Sequence, residues 1–239
     1  MPASRAMPIE ADAGVRSSRF PLWLAALGVA TYALALAATL PVRVVLPKAI
    51  DAVGTVWRGE AALGDSHVAA WHASLLDSLG RAALAGRWTI DGPGSALQGG
   101  ARWRPFAGTA LDTVTGRAAW PLVALAAPSL PFTCDLAVHV ALDRVDFAAK
   151  QQGVAGSITS DPGSCTTRAS GAPRAVPRLI ADFADPDART TGTVAPWANR
   201  ALHLADLTIE NGVLRLHVAP TGAALIPGAG VPADLDVEL

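Results

Sequence analysis

The segment Ala205–Val218, ADLTIENGVLRLHV, alternates apolar and polar residues on both sides of Asn211 and Gly212. Alternation with a period of two is typical of a β-strand that buries one face. Asn211 and Gly212 fit the positive φ angles of a two-residue type I′ turn. We therefore predict a hairpin whose dry face carries three cross-strand pairs: Ile209 with Leu214, Leu207 with Leu216, and Ala205 with Val218.

The same alternation recurs in the stretches RWTIDG, ARWRP, DLAVHVALDRVDFAA and VPRLIADF. Turn segments rich in Gly or Pro, such as DGPGSALQGG and SDPGSC, separate these stretches. Only His72–Gly86, HASLLDSLGRAALAG, has a partly helical pattern, which fits either one short helix or a loop between strands. The sequence thus predicts a mainly β domain, built as one curved or folded-over sheet with mostly antiparallel strands.

A long uncharged segment, Phe20–Val42, precedes this β region. As a helix it is about 34 Å long at about 1.5 Å per residue, and the apolar core of a bilayer is about 30 Å thick. A cleaved signal peptide is the alternative, because LALAA offers small residues for cleavage, but the apolar core of such peptides has only about 7 to 15 residues. We predict a single transmembrane helix at 20–46, preceded by a tail at 1–19 and followed by a β-rich domain at 47–239.

The two cysteines bear on the orientation, because three basic residues on each side of the span do not decide it. Cys134 and Cys165 both lie after the span and make an even pair without a CxxC motif. A disulfide between them requires an oxidising compartment, whereas two buried free thiols are the alternative. With the disulfide, we predict that the domain after the span is periplasmic and that residues 1–19 are cytoplasmic.

No stretch of the chain carries a recognisable catalytic or cofactor motif. The formal net charge is −1 and the 19 Lys and Arg form no basic run, which argues against nucleic acid as a partner. Phosphate-loop, GxGxxG, HExxH and GxSxG patterns are missing, and the histidines at 67, 72, 139, 203 and 217 are scattered. We therefore predict no enzyme, no catalytic residue, no cofactor and no metal site.

Two sets of polar residues could have either a structural or a functional role. Asp206 is predicted to lie opposite His217 on the wet face of the hairpin, where a surface contact accounts for the pair better than catalysis. The acidic stretch ADFADPDAR, with Asp182, Asp185 and Asp187, suits a solvated turn better than a weak calcium site, because Asp before Pro is ordinary turn chemistry.

A glycine-flanked tryptophan comes after the apolar segment, in AIDAVGTVWRGEAALGD. We interpret Gly54 and Gly59 as bends or bulges at the two ends of a short strand. Trp57 then covers the end of a core of small residues, with its N–H reaching a partner or water. An interfacial membrane anchor is the main alternative for Trp57, because the end of the apolar segment is close in sequence.

Four stretches together resemble the general secretion pathway protein N family of bacterial type II secretion systems. They are ATLPVRVVL at the end of the apolar segment, GTVWRGEAAL, VAAWHASLLDSLGRAALAGRWTI, and ENGVLRLHVAPTGAAL near the C-terminus. The resemblance implies a single-pass inner-membrane protein with a periplasmic β-rich domain, associated with the apparatus that exports folded proteins. It implies no enzymatic residues.

Two functional hypotheses fit these observations. The first is an accessory or scaffold component of the type II secretion system, with other secretion subunits of the inner membrane and periplasm as partners. The second is a membrane-anchored β-groove that handles lipid, because the family resembles AsmA-like and LptC-like proteins in general plan. A continuous apolar groove open to solvent favours the second hypothesis, and a filled interior favours the first. A periplasmic hydrolase is a weaker third, since no nucleophile motif is present.

Overall fold

The computed structural model describes residues 22–44, 51–64, 66–74, 78, 83–104, 108–126, 132–148, 151–167, 172–185, 189–210, 213–225 and 233–238. The chain forms two compact units, Met1–Thr39 and Leu40–Leu239. The first is described from Leu22 onwards. The second contains all of the described β-structure.

The described part of the first unit is one helix, α1, Leu22–Thr39. Its large apolar side chains, among them Trp23 and Tyr32, are exposed. The hydroxyl of Thr31 donates to the carbonyl oxygen of Leu27 at 2.8 Å, so this polar group is satisfied by the helix itself. Within the described residues, no helix combines the length and apolarity needed to cross a membrane. Of the predicted segment 20–46, the described part is helical at Leu22–Thr39 and forms a 3-10 turn at Val42–Val44.

The second unit is mainly β. Among the described residues its strands are β1 Ala52–Gly54, β2 Arg58–Leu63, β3 His67–Ser74, β4 Leu84–Gly92, β5 Ser95–Arg104, β6 Gly108–Ala119, β7 Phe132–Asp135, β8 Ala137–Ala148, β9 Gln151–Ser160, β10 Gly163–Thr167, β11 Pro173–Val176, β12 Leu179–Ala184, β13 Thr190–Pro196, β14 Ala205–Glu210, β15 Val213–Val218 and β16 Ala233–Glu238. Two short helices, α2 Trp120–Ala126 and α3 Pro220–Leu225, come after β6 and β15.

Thirteen of these strands form one sheet in the order β1-β2-β3-β4-β5-β6-β8-β9-β12-β13-β14-β15-β16. Every neighbouring pair in this sheet is antiparallel. The order runs with the chain, as expected for strands joined by short connections. The mainly β, antiparallel architecture predicted from the sequence is therefore confirmed.

A second sheet of three strands, β11-β10-β7, continues from the middle of the large one. Leu136 alone separates β7 from β8, Asp161 and Pro162 separate β9 from β10, and Pro177 and Arg178 separate β11 from β12. A proline has no backbone N–H to donate to a ladder, so two of the three breaks in the ladder coincide with proline.

The hairpin predicted around Asn211 and Gly212 has the predicted register. Ile209 pairs with Leu214, Leu207 with Leu216, and Ala205 with Val218. Glu210 and Val213 form the last pair before the turn. Asn211 and Gly212 themselves lie outside the described residues, so the type I′ turn stays a prediction.

The interpretation of Gly54–Gly59 as a short strand is wrong. Gly54 ends β1, Gly59 lies in β2, and the two residues pair with each other. Thr55 to Trp57 is therefore the connection of a tight hairpin. Gly54 does form a bend, with a φ of 106°, but Gly59 has a different role. A Cβ at Gly59 would overlap the Trp71 ring and lie 2.6 Å from the Val53 carbonyl oxygen, so this position requires glycine for close packing.

The partly helical stretch His72–Gly86 belongs to strands at both ends. His72 lies in β3, which ends at Ser74, and Gly86 lies in β4, which begins at Leu84. Of the residues in between, the structure describes only Ser78 and Ala83.

Small residues make up much of the buried core. One cluster joins Val42, Ala52 and Ala61, against which Trp71 packs. A second cluster near the other edge of the large sheet joins Ala205, Val218 and Ala223, with Val194 and Leu216 against it. Between the two clusters, β6 and β8 each carry one extra residue at a register shift, near Thr113 and at Asp143. Such bulges bend a strand and increase its twist.

Candidate functional site

One row of directly paired residues crosses the large sheet from β1 to β15 without a polar side chain. Its members are Ala52, Ala61, Ala69, Ile90, Leu97, Gly116, Val140, Ile158, Ala181, Val194, Ala205 and Val218. Directly paired residues lie on the same face of a sheet. We call these residues the apolar row, and the side of the sheet that carries them the apolar face.

Burial varies along the apolar row. Ala52 is 1% exposed at one end, and Ala205 is 3% exposed towards the other. Ile90, Val140 and Ile158, in the middle strands, are only half-buried. A chain of apolar side chains that keeps contact with solvent over several strands differs from the scattered exposed apolar residues of ordinary surfaces. The middle part of the apolar face therefore keeps some exposure to solvent.

The neighbouring positions on the apolar face are also uncharged. Positions two residues along each strand share a face, which places Trp88 on β4, Val114 on β6 and Leu142 on β8 beside the apolar row. In the described strands β4, β5, β6, β8 and β9, the register puts no Asp, Glu, Lys or Arg on this face. A charged ligand would find no ionic partner among the described residues of these strands.

One end of the apolar face is closed. His67 is 2% exposed, and its Nε2 lies 3.2 Å from the Ser95 hydroxyl oxygen, which accepts a hydrogen bond from the Ala119 backbone N–H at 2.9 Å. Helix α2 begins at the next residue, and its Leu122 is buried. His67 is thus a hydrogen-bonded structural residue at the closed end.

The opposite end of the apolar face carries exposed aromatic side chains. Trp103 and Phe147 both pair with Thr109, so the three residues share a face. Trp103 is 50% exposed and Phe147 is 56% exposed. The apolar face is therefore closed near α2 and open near Trp103 and Phe147.

The two sequence-predicted cysteines meet in the small sheet. Cys134 on β7 is directly paired with Cys165 on β10, and the two form a disulfide. Cys165 is 3% exposed. The predicted disulfide is confirmed, and the alternative of two free thiols is wrong.

The predicted pair Asp206 and His217 is directly opposed across β14 and β15. Oδ1 of Asp206 lies 3.3 Å from Nδ1 of His203, and both side chains are about half-exposed. His139 lies elsewhere on the sheet, where its Nε2 is 3.0 Å from Oδ1 of Asp161. These are polar contacts at the surface, where a pair of side chains contributes about 0 to 1 kcal/mol.

The acidic stretch after β12 is only partly described. Asp182 is 3.8 Å from Arg200, and Asp185 accepts a hydrogen bond from the Thr190 hydroxyl at 3.3 Å, whereas Asp187 lies outside the described residues. In the part of the chain that the structure covers, no group of three or more His, Cys, Asp or Glu could hold a metal ion.

The motif around Trp57 forms one packed unit with β3. The Trp71 indole N–H donates to the carbonyl oxygens of Thr55 and Val56, each at 3.2 Å. The Trp57 carbonyl oxygen accepts a hydrogen bond from the Ala73 backbone N–H at 2.6 Å. Trp57 is half-buried and has a further partner. The sequence singled out Trp57, but Trp71 makes the contacts that hold this hairpin.

Comparisons of the chain with protein-family models, with curated proteins and with solved structures found no match.

Proposed function

We propose that this protein is an accessory or scaffold component of a bacterial type II secretion system that supports export of folded proteins. The main support is that two of the stretches that carry the family resemblance lie on neighbouring strands of the large sheet. GTVWRGEAAL forms the β1–β2 connection and all of β2, VAAWHAS lies in β3, and GRWTI lies in β4. These strands are neighbours, and Trp71 packs over Gly59. These residues therefore have a structural role. This agrees with the resemblance, which implies no enzymatic residues.

The proposed location is the inner membrane, with the β unit in the periplasm. The uncharged segment 20–42 supports an anchor, and the exposed apolar side chains of α1 are consistent with it. The disulfide between Cys134 and Cys165 supports an oxidising compartment for the second unit.

The proposed docking surface for other subunits includes the edge strand β1. Among the described strands, β1 pairs with β2 alone, and such an edge presents free backbone N–H and C=O groups to another chain. Val53 on this edge is 55% exposed. The Ala52 carbonyl oxygen on this edge already accepts a hydrogen bond from Arg43 Nε at 3.0 Å, so a partner strand that pairs there would replace this contact.

A second candidate function is lipid handling, and the apolar face favours it. The face is uncharged, half-buried in its middle, and open at the end that carries Trp103 and Phe147. An acyl chain gains about 0.8 kcal/mol for each buried CH₂, so a short stretch of chain on this face would bind measurably. The two candidate functions differ in the partner that they require. The first requires other secretion subunits, and the second requires a lipid on the apolar face.

Site-specific photo-crosslinking in the native membrane separates the candidates. A photoreactive amino acid at Val53 tests the edge, one at Val140 tests the apolar face, and one at Thr208 on the opposite face is the control. Protein adducts from Val53 that contain secretion subunits support the first candidate. Lipid-sized adducts confined to Val140 support the second. Equal labelling at all three positions contradicts both.

A further inference from the structure

A cavity of about 520 Å³ lies over β2, β3 and β4, on the face opposite the apolar row. Its floor is the backbone of the paired residues Gly59, Trp71 and Trp88. Two parallel rows form its walls, one with Arg58, His72 and Arg87, the other with Glu60, Ala70 and Thr89. We call this cavity the cross-strand groove. It is separate from the apolar face, and neither candidate function requires it.

The first wall places basic side chains side by side. Arg58 pairs directly with His72, and His72 pairs directly with Arg87. Neighbouring strands are about 4.8 Å apart, so the two arginines start roughly 10 Å from each other, within reach of one small anion between them. Because both arginines are exposed and this separation is close to the screening length of physiological salt, they repel each other only weakly.

In this row of the described part of the protein, no carboxylate lies between Arg58 and Arg87. No carboxylate in it forms an ion pair with Arg58 or Arg87. Further along the same row, after Gly100, stands Asp112. Its two carboxylate oxygens accept hydrogen bonds from Arg102 at 2.5 and 2.6 Å. Hydrogen bonding to Asp112 raises the pKa of Arg102 above its usual value, against the opposing effect of burial. Asp112 is thus committed to another arginine.

The second wall carries one negative group. Glu60 is two residues from Arg58 along β2, which separates their Cα atoms by about 7 Å. Glu60 pairs with Ala70 and forms no ion pair within the described residues. The carboxylate would repel a bare phosphate dianion, but it would attract a cation attached to the phosphate. The groove therefore has a positive wall and a negative corner.

We propose that the cross-strand groove binds a phosphate ester that also carries an ammonium group, with the phosphate between Arg58 and Arg87 and the ammonium beside Glu60. Guanidinium groups bind phosphate oxygens through two parallel N–H donors, and His72 stands between them. The same chemistry occurs in an ethanolamine phospholipid headgroup and in a soluble phosphoethanolamine ester.

The test uses the full chain in a non-ionic detergent, and isothermal titration calorimetry measures binding, because the Trp71 and Trp88 side chains belong to the opposite face of the sheet. The soluble probes are glycerophosphoethanolamine and inorganic phosphate. We expect glycerophosphoethanolamine to bind more tightly than inorganic phosphate. The double variant Arg58→Gln/Arg87→Gln should weaken its binding at least about tenfold, since it removes the charge-assisted hydrogen bonds to the phosphate.

Glu60→Gln distinguishes this site from a general anion site. It should weaken the binding of glycerophosphoethanolamine and strengthen the binding of inorganic phosphate, because one carboxylate attracts the first probe's ammonium and repels the second probe. Arg215→Gln, an exposed arginine on β15, is the matched control and should change neither affinity. Unchanged melting temperatures establish that each variant is folded.

A further binding measurement, with a lipid, distinguishes a phospholipid headgroup from a soluble ester as the ligand. Short-chain phosphatidylethanolamine that binds more tightly than glycerophosphoethanolamine, and loses this binding in the double variant, supports a lipid headgroup. Equal affinities, both lost in the double variant, support a soluble ester. Binding that survives the double variant, or that Arg215→Gln weakens as much, overturns the proposal, and so does a Glu60→Gln variant that affects both soluble probes alike.

Discussion

The Trp71 ring lies directly over Gly59, so that a Cβ on this glycine would overlap the indole. The same indole donates its N–H to the carbonyl oxygens of Thr55 and Val56. One side chain on β3 thus holds both the β1–β2 connection and the close packing of β2. Because Trp71 also packs against the buried cluster around Ala52, the hairpin and the core at this edge of the sheet depend on each other.

Gly59→Ala should therefore lower the free energy of unfolding by about 1 to 3 kcal/mol, the usual cost of an added group in a packed site. Gly100→Ala is the matched control, because a Cβ there meets its nearest atom at 3.5 Å, an ordinary contact. Chemical denaturation of both variants measures the difference. Equal stability of the two variants would mean that Trp71 does not lie over Gly59.

The disulfide between Cys134 and Cys165 closes a loop with a sequence separation of 31. In the chain-entropy model such a loop stabilises the folded state by about 3 to 4 kcal/mol. A reductant should lower the melting temperature of the natural chain and leave that of Cys134→Ser/Cys165→Ser unchanged. Mass spectrometry without reduction should find the two cysteines joined. An equal effect of reductant on both proteins would exclude this stabilising role.

Thr190 is fully buried, and its hydroxyl connects two segments. It accepts a hydrogen bond from the Val154 backbone N–H at 2.8 Å and donates one to Asp185 at 3.3 Å. Thr190→Val keeps the shape but leaves the Val154 donor without a partner, which costs about 1 to 3 kcal/mol. Thr191→Val, at the exposed neighbouring position, should cost under about 0.5 kcal/mol. Denaturant midpoints for the two variants test this difference, and a larger loss at Thr191 would contradict it.

The sequence predicted the parts of the fold that depend on local patterns. The alternation around Asn211 and Gly212 was sufficient for the register of β14 and β15, since a two-residue turn and one apolar face leave a single alignment. The even pair of cysteines pointed to the disulfide. The general antiparallel order came from strands placed one after another along the chain.

Features that depend on distant partners could not be predicted. The reason that Gly59 is a glycine is Trp71, which lies on another strand, so the pattern VGTVWRG alone suggested a strand where a hairpin connection stands. The cross-strand groove combines Arg58, His72 and Arg87, which only the register of three strands brings together. Helix α2 carries no acidic residue in its first turn and no basic residue in its last. Its seven residues therefore lack the charge pattern from which a helix could be predicted.

The proposed topology predicts where each end of the chain lies. A reporter that is active only in the periplasm should be active when fused after Leu239 and inactive when fused before Met1. Alkaline carbonate should leave the protein in the membrane fraction, because an apolar anchor is not released by loss of ionic contacts. The opposite reporter pattern would reverse the orientation, and release into the soluble fraction would contradict the anchor.

Deletion of the gene, followed by quantification of exported proteins, tests the proposed secretion role most directly. We expect exported proteins to accumulate folded in the periplasm and export to be restored by the natural chain. The variant Leu216→Asp should fail to restore it, because a carboxylate in the packed cluster with Ala205 and Val218 costs several kcal/mol. His139→Ala should restore it, since no chemistry is proposed for His139. Normal export in the deletion strain would contradict the secretion role.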